Sequence, residues 1–141
     1  MKNYKIDSID YVDGYERIAT IEDIVTNNRI TVHFLEFDEY LNCGEVSEVK
    51  KVGDIVKGNI SIDLITSSQF TDDDINHYYP DIIGSSWVNA IVKVTRMVDG
   101  YSLYAISSII DEEILVEFET IVNYHIGDKI LIKGSLEFEE S

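Results

Sequence analysis

Two stretches of this chain share one frame, and that frame limits the size of unit the chain can fold into. Val52-Gly53-Asp54-Ile55-Val56-Lys57-Gly58-Asn59-Ile60-Ser61-Ile62-Asp63 closes the first half, and Ile126-Gly127-Asp128-Lys129-Ile130-Leu131-Ile132-Lys133-Gly134-Ser135-Leu136-Glu137-Phe138-Glu139 closes the second. Each reads apolar-Gly-Asp, a short apolar run, Lys-Gly, a small polar residue, then alternation. Between its two glycines the second copy is longer by two residues, a change that keeps a strand's side chains on their original faces. Two similar small β-domains are the expectation. With 141 residues in all, each would lie near the lower size limit for an independent core. The halves should therefore pack on each other or share a sheet.

One proline, eight glycines and abundant Ile, Val, Tyr, Thr and Phe suit strands. Asp13-Gly14, Asn27-Asn28 and Asp99-Gly100 mark hairpin turns. Arg17 to Val25 is expected to pair with Arg29 to Phe37, and the change of apolar face after Phe34 predicts a bulge there. The third strand of this half would lie between Glu39 and Lys51. In the second half, Val88 to Val94, Tyr101 to Ile110 and Ile114 to Phe118 alternate, and Thr120 to Ile126 connects them to a closing pair of strands. Helical periodicity is limited to a single turn at Tyr40 to Cys43. The resulting division is a first β-domain over 1–66, an acidic and aromatic linker over 67–86, and a second β-domain over 87–141.

Three strands, a connector and a closing pair carrying Gly-Asp-x-Ile-x-Ile-x-Gly-x-Leu (Gly127 to Leu136) resemble the OB fold, a small five-stranded Greek-key barrel. The resemblance spans Trp87 to Glu139 and, less completely, Tyr15 to Ile65. It implies an all-β chain of two similar small antiparallel barrels, OB-like and packed in tandem. It also implies binding of oligonucleotides or oligosaccharides across the second and third strands and the loops beside them. The residues there suit nucleic acid poorly. Tyr101, Tyr104 and Phe118 could stack on bases, yet Asp111, Glu112, Glu113, Glu117 and Glu119 surround them, whereas stacking platforms work beside a basic groove.

Charge points the same way. There are 27 acidic and 11 basic residues, a net charge of −16, with acid in excess in both halves. Such a field repels phosphate backbones and favours a basic protein partner. Cys43 is the one cysteine, so an internal disulfide and a Cys-rich zinc site are excluded; it reads as a small buried residue. The absence of an apolar stretch of signal-peptide or membrane-spanning length gives a cytoplasmic reading with no membrane partner.

Asp72-Asp73-Asp74 begins like a calcium loop, but His77 and Ile83 stand where that loop needs Gly and Glu. His33, His77 and His125 lack ligand spacing, and no nucleophile or phosphate-loop motif is present, so no metal, cofactor or catalytic set is expected. Tyr78, Tyr79, Asp81 and Trp87, with Asp72, Asp73 and Asp74, form the expected partner-binding patch of large aromatic anchors in a charged rim. The structural alternative is that these aromatics pin the linker to the domains. The function expected is a non-enzymatic acidic protein-binding module, such as an inhibitor or immunity-type protein capturing a basic partner. The alternative is OB-fold binding of single-stranded nucleic acid or oligosaccharide.

Overall fold

The computed structural model describes every residue except Asp38, His77, Asp81, Ile82 and Ile83, with Tyr78, Tyr79 and Pro80 described by backbone alone. Among the described residues there is no helix. Nine strands run in chain order: β1 (Lys2–Asp13), β2 (Glu16–Asp23), β3 (Arg29–Leu35), β4 (Ile55–Phe70), β5 (Tyr78–Pro80), β6 (Trp87–Met97), β7 (Ser102–Ile106), β8 (Ile114–Glu117) and β9 (Lys129–Glu140). They form one mixed sheet in the order β1-β2-β3-β9-β4-β8-β7-β6-β5, with further pairings of β1 to β4 and of β9 to β6.

Those extra pairings close the sheet on itself. Following neighbours round β1-β2-β3-β9-β4 returns to β1, and following β6-β7-β8-β4-β9 returns to β6. The two circuits share β4 and β9, which run antiparallel through the middle of the molecule. Both are long because each serves two circuits. The halves thus share one continuous sheet, one of the two arrangements expected of units near the lower size limit, and separate barrels in tandem are not seen. The sheet is also not wholly antiparallel, since His33 of β3 pairs with Glu137 in parallel, as do Ser61 and Ile62 of β4 with Leu115 and Val116 of β8. The expected boundary at residue 66 falls inside β4, and β5, within the expected linker, pairs with β6.

The two Gly-Asp turns are built alike. Gly53 and Gly127 both have φ of 93°, a left-handed conformation that glycine adopts without penalty. Gly53 N donates to Ile6 O at 2.8 Å and Gly127 N to Val94 O at 2.9 Å, while Ile6 N and Val94 N donate to Asp54 O and Asp128 O, each at 2.9 Å. The ladders continue in step. Ile55 lies opposite Lys5 and Gly58 opposite Lys2, just as Lys129 lies opposite Lys93 and Ile132 opposite Ala90. Gly58 thus corresponds to Ile132 rather than to Gly134, and no two-residue insertion separates the turns from these positions. Lys-Gly recurs in the sequence without recurring in space.

Three further expectations change. The strand that the first half needed beside β2 and β3 is β1, at the N-terminus, and 39–51 instead belongs to a long connector. The β2–β3 ladder runs from Glu16↔Leu35 to Glu22↔Arg29 without a shift, so no bulge occurs at Phe34; the register shifts lie in β1 after Ile6 and after Tyr11, in β4 after Asp63 and in β6 after Val94. Cys43 is exposed on the connector, because that segment lies outside the core. The core is one apolar cluster through both circuits, including Tyr4, Ile6, Ile21, Ile62, Val92, Leu103, Ile130, Ile132 and Leu136.

Close approach of β4 and β9 leaves no room for a side chain at Gly58, where an added Cβ would lie 2.2 Å from Glu139 O. Gly58→Ala should lower stability by about 2–3 kcal/mol or more. Gly14→Ala, with open space around it and φ of 49°, should cost only about 1 kcal/mol. Urea denaturation of both variants checks the difference. Residues 1–74 and 75–141, made as separate chains, should each fail to fold cooperatively and should recover the native circular dichroism on mixing. Two-state melting of either half alone would contradict the shared pair.

Candidate functional site

Where β2, β3 and β9 meet the start of β6, a groove of about 410 Å³ opens. The turn before β6 and the bend in β4 wall it with Gly84, Ser85, Trp87 and Leu64, while Val12 and Ile18 give an apolar floor. Leu64 has φ of 54°, uncommon for a residue with a branched side chain, at the point where the β4–β9 register shifts.

A chain of polar side chains crosses this groove. Ser86 and Ser135, both buried, share a hydrogen bond of 2.8 Å. Ser135 also bonds the Glu137 carboxylate. Glu137 Oε2 lies 2.6 Å from His33 Nδ1, and Glu16 Oε1 lies 3.2 Å from His33 Nε2. The strand register places them so: His33↔Glu137 is the single bridge joining β3 to β9, and Glu16 begins the neighbouring strand β2. Ser86 meets Ser135 and Ser135 meets Glu137, so the histidine is not placed to activate either serine as a nucleophile. The arrangement can bind and orient a ligand.

Beside the groove the outward face of β8, β4 and β9 carries Glu117, Asp63, Glu137 and Glu139. Burial pushes the Glu137 carboxyl above its ordinary range, against the opposing hydrogen bond and charge of His33. Burial also raises Asp63, with Glu139 adding to it, and raises Glu117, with Asp63 and Glu139 adding to it. These carboxylates repel one another. Asp63 Oδ1 is buried with no hydrogen-bond partner among the described residues. Among those residues, no group of acidic, histidine or cysteine side chains has the arrangement of a metal site.

Of the residues expected to bind a partner, Trp87 is in the groove. Tyr78 and Tyr79 lie in β5, paired with Ala90 and Asn89 of β6, and their side chains lie outside the described residues, as does all of Asp81. Asp72, Asp73 and Asp74 follow the end of β4, where Asp72 O accepts a bond from Lys129 Nζ at 3.1 Å. Lys129 and Ser135, the latter opposite Trp87, are separated by about 20 Å of strand at ~3.4 Å per residue. The acidic triplet and Trp87 are therefore at opposite ends of the β6–β9 ladder. Sequence reading missed His33, Glu16 and Glu137 as a set, because only a parallel contact between distant strands unites them. The one available signal was an alternating strand that presents Glu137 and Glu139 on the polar face.

No protein-family model, curated protein or solved structure matches this chain. No helix among the described residues is long and apolar enough to cross a membrane.

Because burial and neighbouring charge raise Asp63, ionising it costs the folded state. The stability it contributes is complete below the ordinary aspartate pKa of about 3.9 and declines as pH rises through the higher folded value. Asp63→Asn should therefore stabilise the protein at pH 7, by less than about 1 kcal/mol after allowance for solvent screening, and should have almost no effect at pH 3. Thermal melts at the two pH values measure this.

Proposed function

We propose that this chain is a non-enzymatic binding module that captures a basic protein partner, with the groove at Trp87 receiving a cationic side chain. In this reading each strand circuit is an OB-like barrel whose closing strand is exchanged with the other half, and the recurring Gly-Asp turns reflect an internal duplication. The supporting observation is the band of mutually raised carboxylates, Asp63, Glu117 and Glu137, running beside an aromatic groove. A guanidinium or ammonium group there relieves the repulsion between the acids and can lie over the indole face of Trp87. The net charge of −16 would steer such a partner from a distance. An inhibitor or immunity-type protein covering the basic site of its target is one form this takes. Tyr78, Tyr79 and Asp81 belong to the proposed partner-binding set by sequence, and Asp72 to Asp74 supply a second acidic anchor at the far end of the β6–β9 ladder.

One observation favours a second reading. The groove lies on β2 and β3, the second and third strands of its circuit, which is the face OB folds use for oligonucleotides and oligosaccharides. The carboxylates there disfavour phosphate, so a neutral oligosaccharide is the stronger form of that reading.

Trp87 is the only tryptophan, so its fluorescence reports this groove alone. A hexa-arginine peptide should change that fluorescence, with affinity falling about tenfold or more when salt rises from roughly 50 to 200 mM. Glu137→Gln and Glu16→Gln should each weaken binding severalfold. A response to a neutral oligosaccharide or single-stranded DNA, with none to the peptide, would overturn the proposal in favour of the second reading.

A further inference from the structure

The end of the first circuit contains a cavity that the second circuit fills. The two ends correspond through their hydrogen bonds: Glu36 N donates to Tyr15 O at 2.8 Å, and Phe118 N to Tyr101 O at 2.7 Å. Lys51 N donates to Asp54 Oδ2 and His125 N to Asp128 Oδ2, which sets Lys50 in the place of Tyr124. The ladders set Arg17, opposite Phe34, in the place of Leu103, opposite Val116.

In the second circuit these positions plug the end with apolar groups. Leu103 and Phe118 are buried, and Tyr124 packs on Phe118 and Phe70 while its hydroxyl donates to Ser68 Oγ. In the first, all three are charged and turned to ion pairs, Arg17 with Glu36 at 3.2 Å and Lys50 with Glu140 at 2.9 Å. Arg17 is further held by the carbonyls of Gly14 and Glu16. Between these pairs lies a half-open space of about 250 Å³, lined by Phe34, Leu35, Phe37, Val49 and Phe138 as well as by charged side chains, with the buried Ile6, Ile21 and Val56 at its inner end. Phe34 and Phe138 meet edge to face, with centroids 6.4 Å apart.

We propose that this cavity is a binding site for a small organic cation, an ammonium group on an aryl or alkyl body. It is distinct from the groove at Trp87. An apolar cavity of ~150 Å³ takes up benzene, so this one accommodates a body of about eight to ten heavy atoms. The mouth selects the head group. Glu36, Glu39, Glu48 and Glu140 line it; Arg17 and Lys50 answer Glu36 and Glu140, which leaves Glu39 and Glu48 in excess, and the Ser47 hydroxyl and Glu48 N–H hold the Glu39 carboxyl below its ordinary range. An ammonium is attracted to that rim and a carboxylate is repelled.

The test titrates 2-phenylethylammonium, 2-phenylethanol and 3-phenylpropionate into the full chain, observing methyl NMR signals of Ile6, Ile21 and Val56. The ammonium compound should shift these signals and bind about tenfold more tightly than the alcohol, with the carboxylate weakest. Glu48→Gln, at an exposed position, should weaken the ammonium compound about threefold and leave the alcohol unchanged. The triple variant Arg17→Leu, Glu36→Phe, Lys50→Tyr copies the filled end and should abolish binding; if it does not fold, Glu48→Gln decides. Equal binding of all three compounds, tighter binding of the carboxylate, or no methyl shift with any of them would overturn the assignment.

Discussion

Everything in this molecule hangs on the antiparallel contact between β4 and β9. Each strand leaves its own Gly-Asp turn paired with the first strand of its own half, β1 or β6. Each then continues into the other half to complete that circuit, β4 beside β8 and β9 beside β3. Their mutual ladder covers Gly58↔Glu140 to Asp63↔Ser135 and Ser67↔Lys133 to Phe70↔Ile130, with a shift between. Geometry is tight at the shift as well as at Gly58. A Cβ on Gly134 would lie 2.7 Å from Ile65 Cδ1 and 2.8 Å from Asp63 O, so only glycine lets the bent strands approach there. A bulge strengthens local twist, which turns one end of the pair toward each circuit.

The same contact explains what could be read in advance. Alternation along Val88 to Val94 and Ile114 to Val116, the Gly14 and Gly100 hairpins and the Gly-Asp turns are local features, and the all-β content followed from them. Lys2 to Asp13 was passed over as a strand because its buried alternation is carried by Tyr4 and Ile6 among Lys, Asn and Asp. Which half supplies the closing strand is a non-local fact, since Gly58 and Glu140 are neighbours only through the fold. Lys57-Gly58 and Lys133-Gly134 look alike in sequence for different reasons. Gly58 avoids the Glu139 carbonyl and the Phe138 ring, whereas Gly134 serves the bend. His33, Glu16 and Glu137 were individually unremarkable, and only the β3–β9 bridge makes a site of them.

Charge distribution sharpens the contrast between structure and surface. Several of the cations act as internal ties. Lys2 bridges Asp23 of β2 to Asp111 of the turn between β7 and β8, and the N-terminal ammonium reaches Glu112 beside it. Burial works against the Asp23 carboxyl, yet the Lys2 bond and the N–H groups of Val25 and Thr26 hold it below its ordinary range. Arg29 joins Asp7 and Glu22, and Arg96 lies over the Tyr104 ring. With those cations committed to cross-links, burial and mutual repulsion leave Asp63, Glu117 and Glu137 raised together. A protein optimised only for stability would not keep such a band, because each raised carboxyl subtracts from it at neutral pH.

A similar argument applies to the open end of the first circuit. Ion pairs that are largely withdrawn from water recover little more than their desolvation cost, and apolar replacements of similar volume often do as well or better. Arg17 and Glu36 have side chains only 11% and 12% exposed, so their pairing is a weak reason for them to stand where Leu103 and Phe118 stand in the other circuit. The second circuit demonstrates that the same backbone accepts the apolar solution. What the charged solution adds is a half-open space lined in part by Phe34, Phe37 and Phe138 behind a rim of carboxylates, and unfilled apolar surface there forfeits dispersion contacts that a plug would restore. Stability therefore gains nothing from the difference between the two ends, and a guest that fills the space and answers the rim accounts for both halves of the exchange.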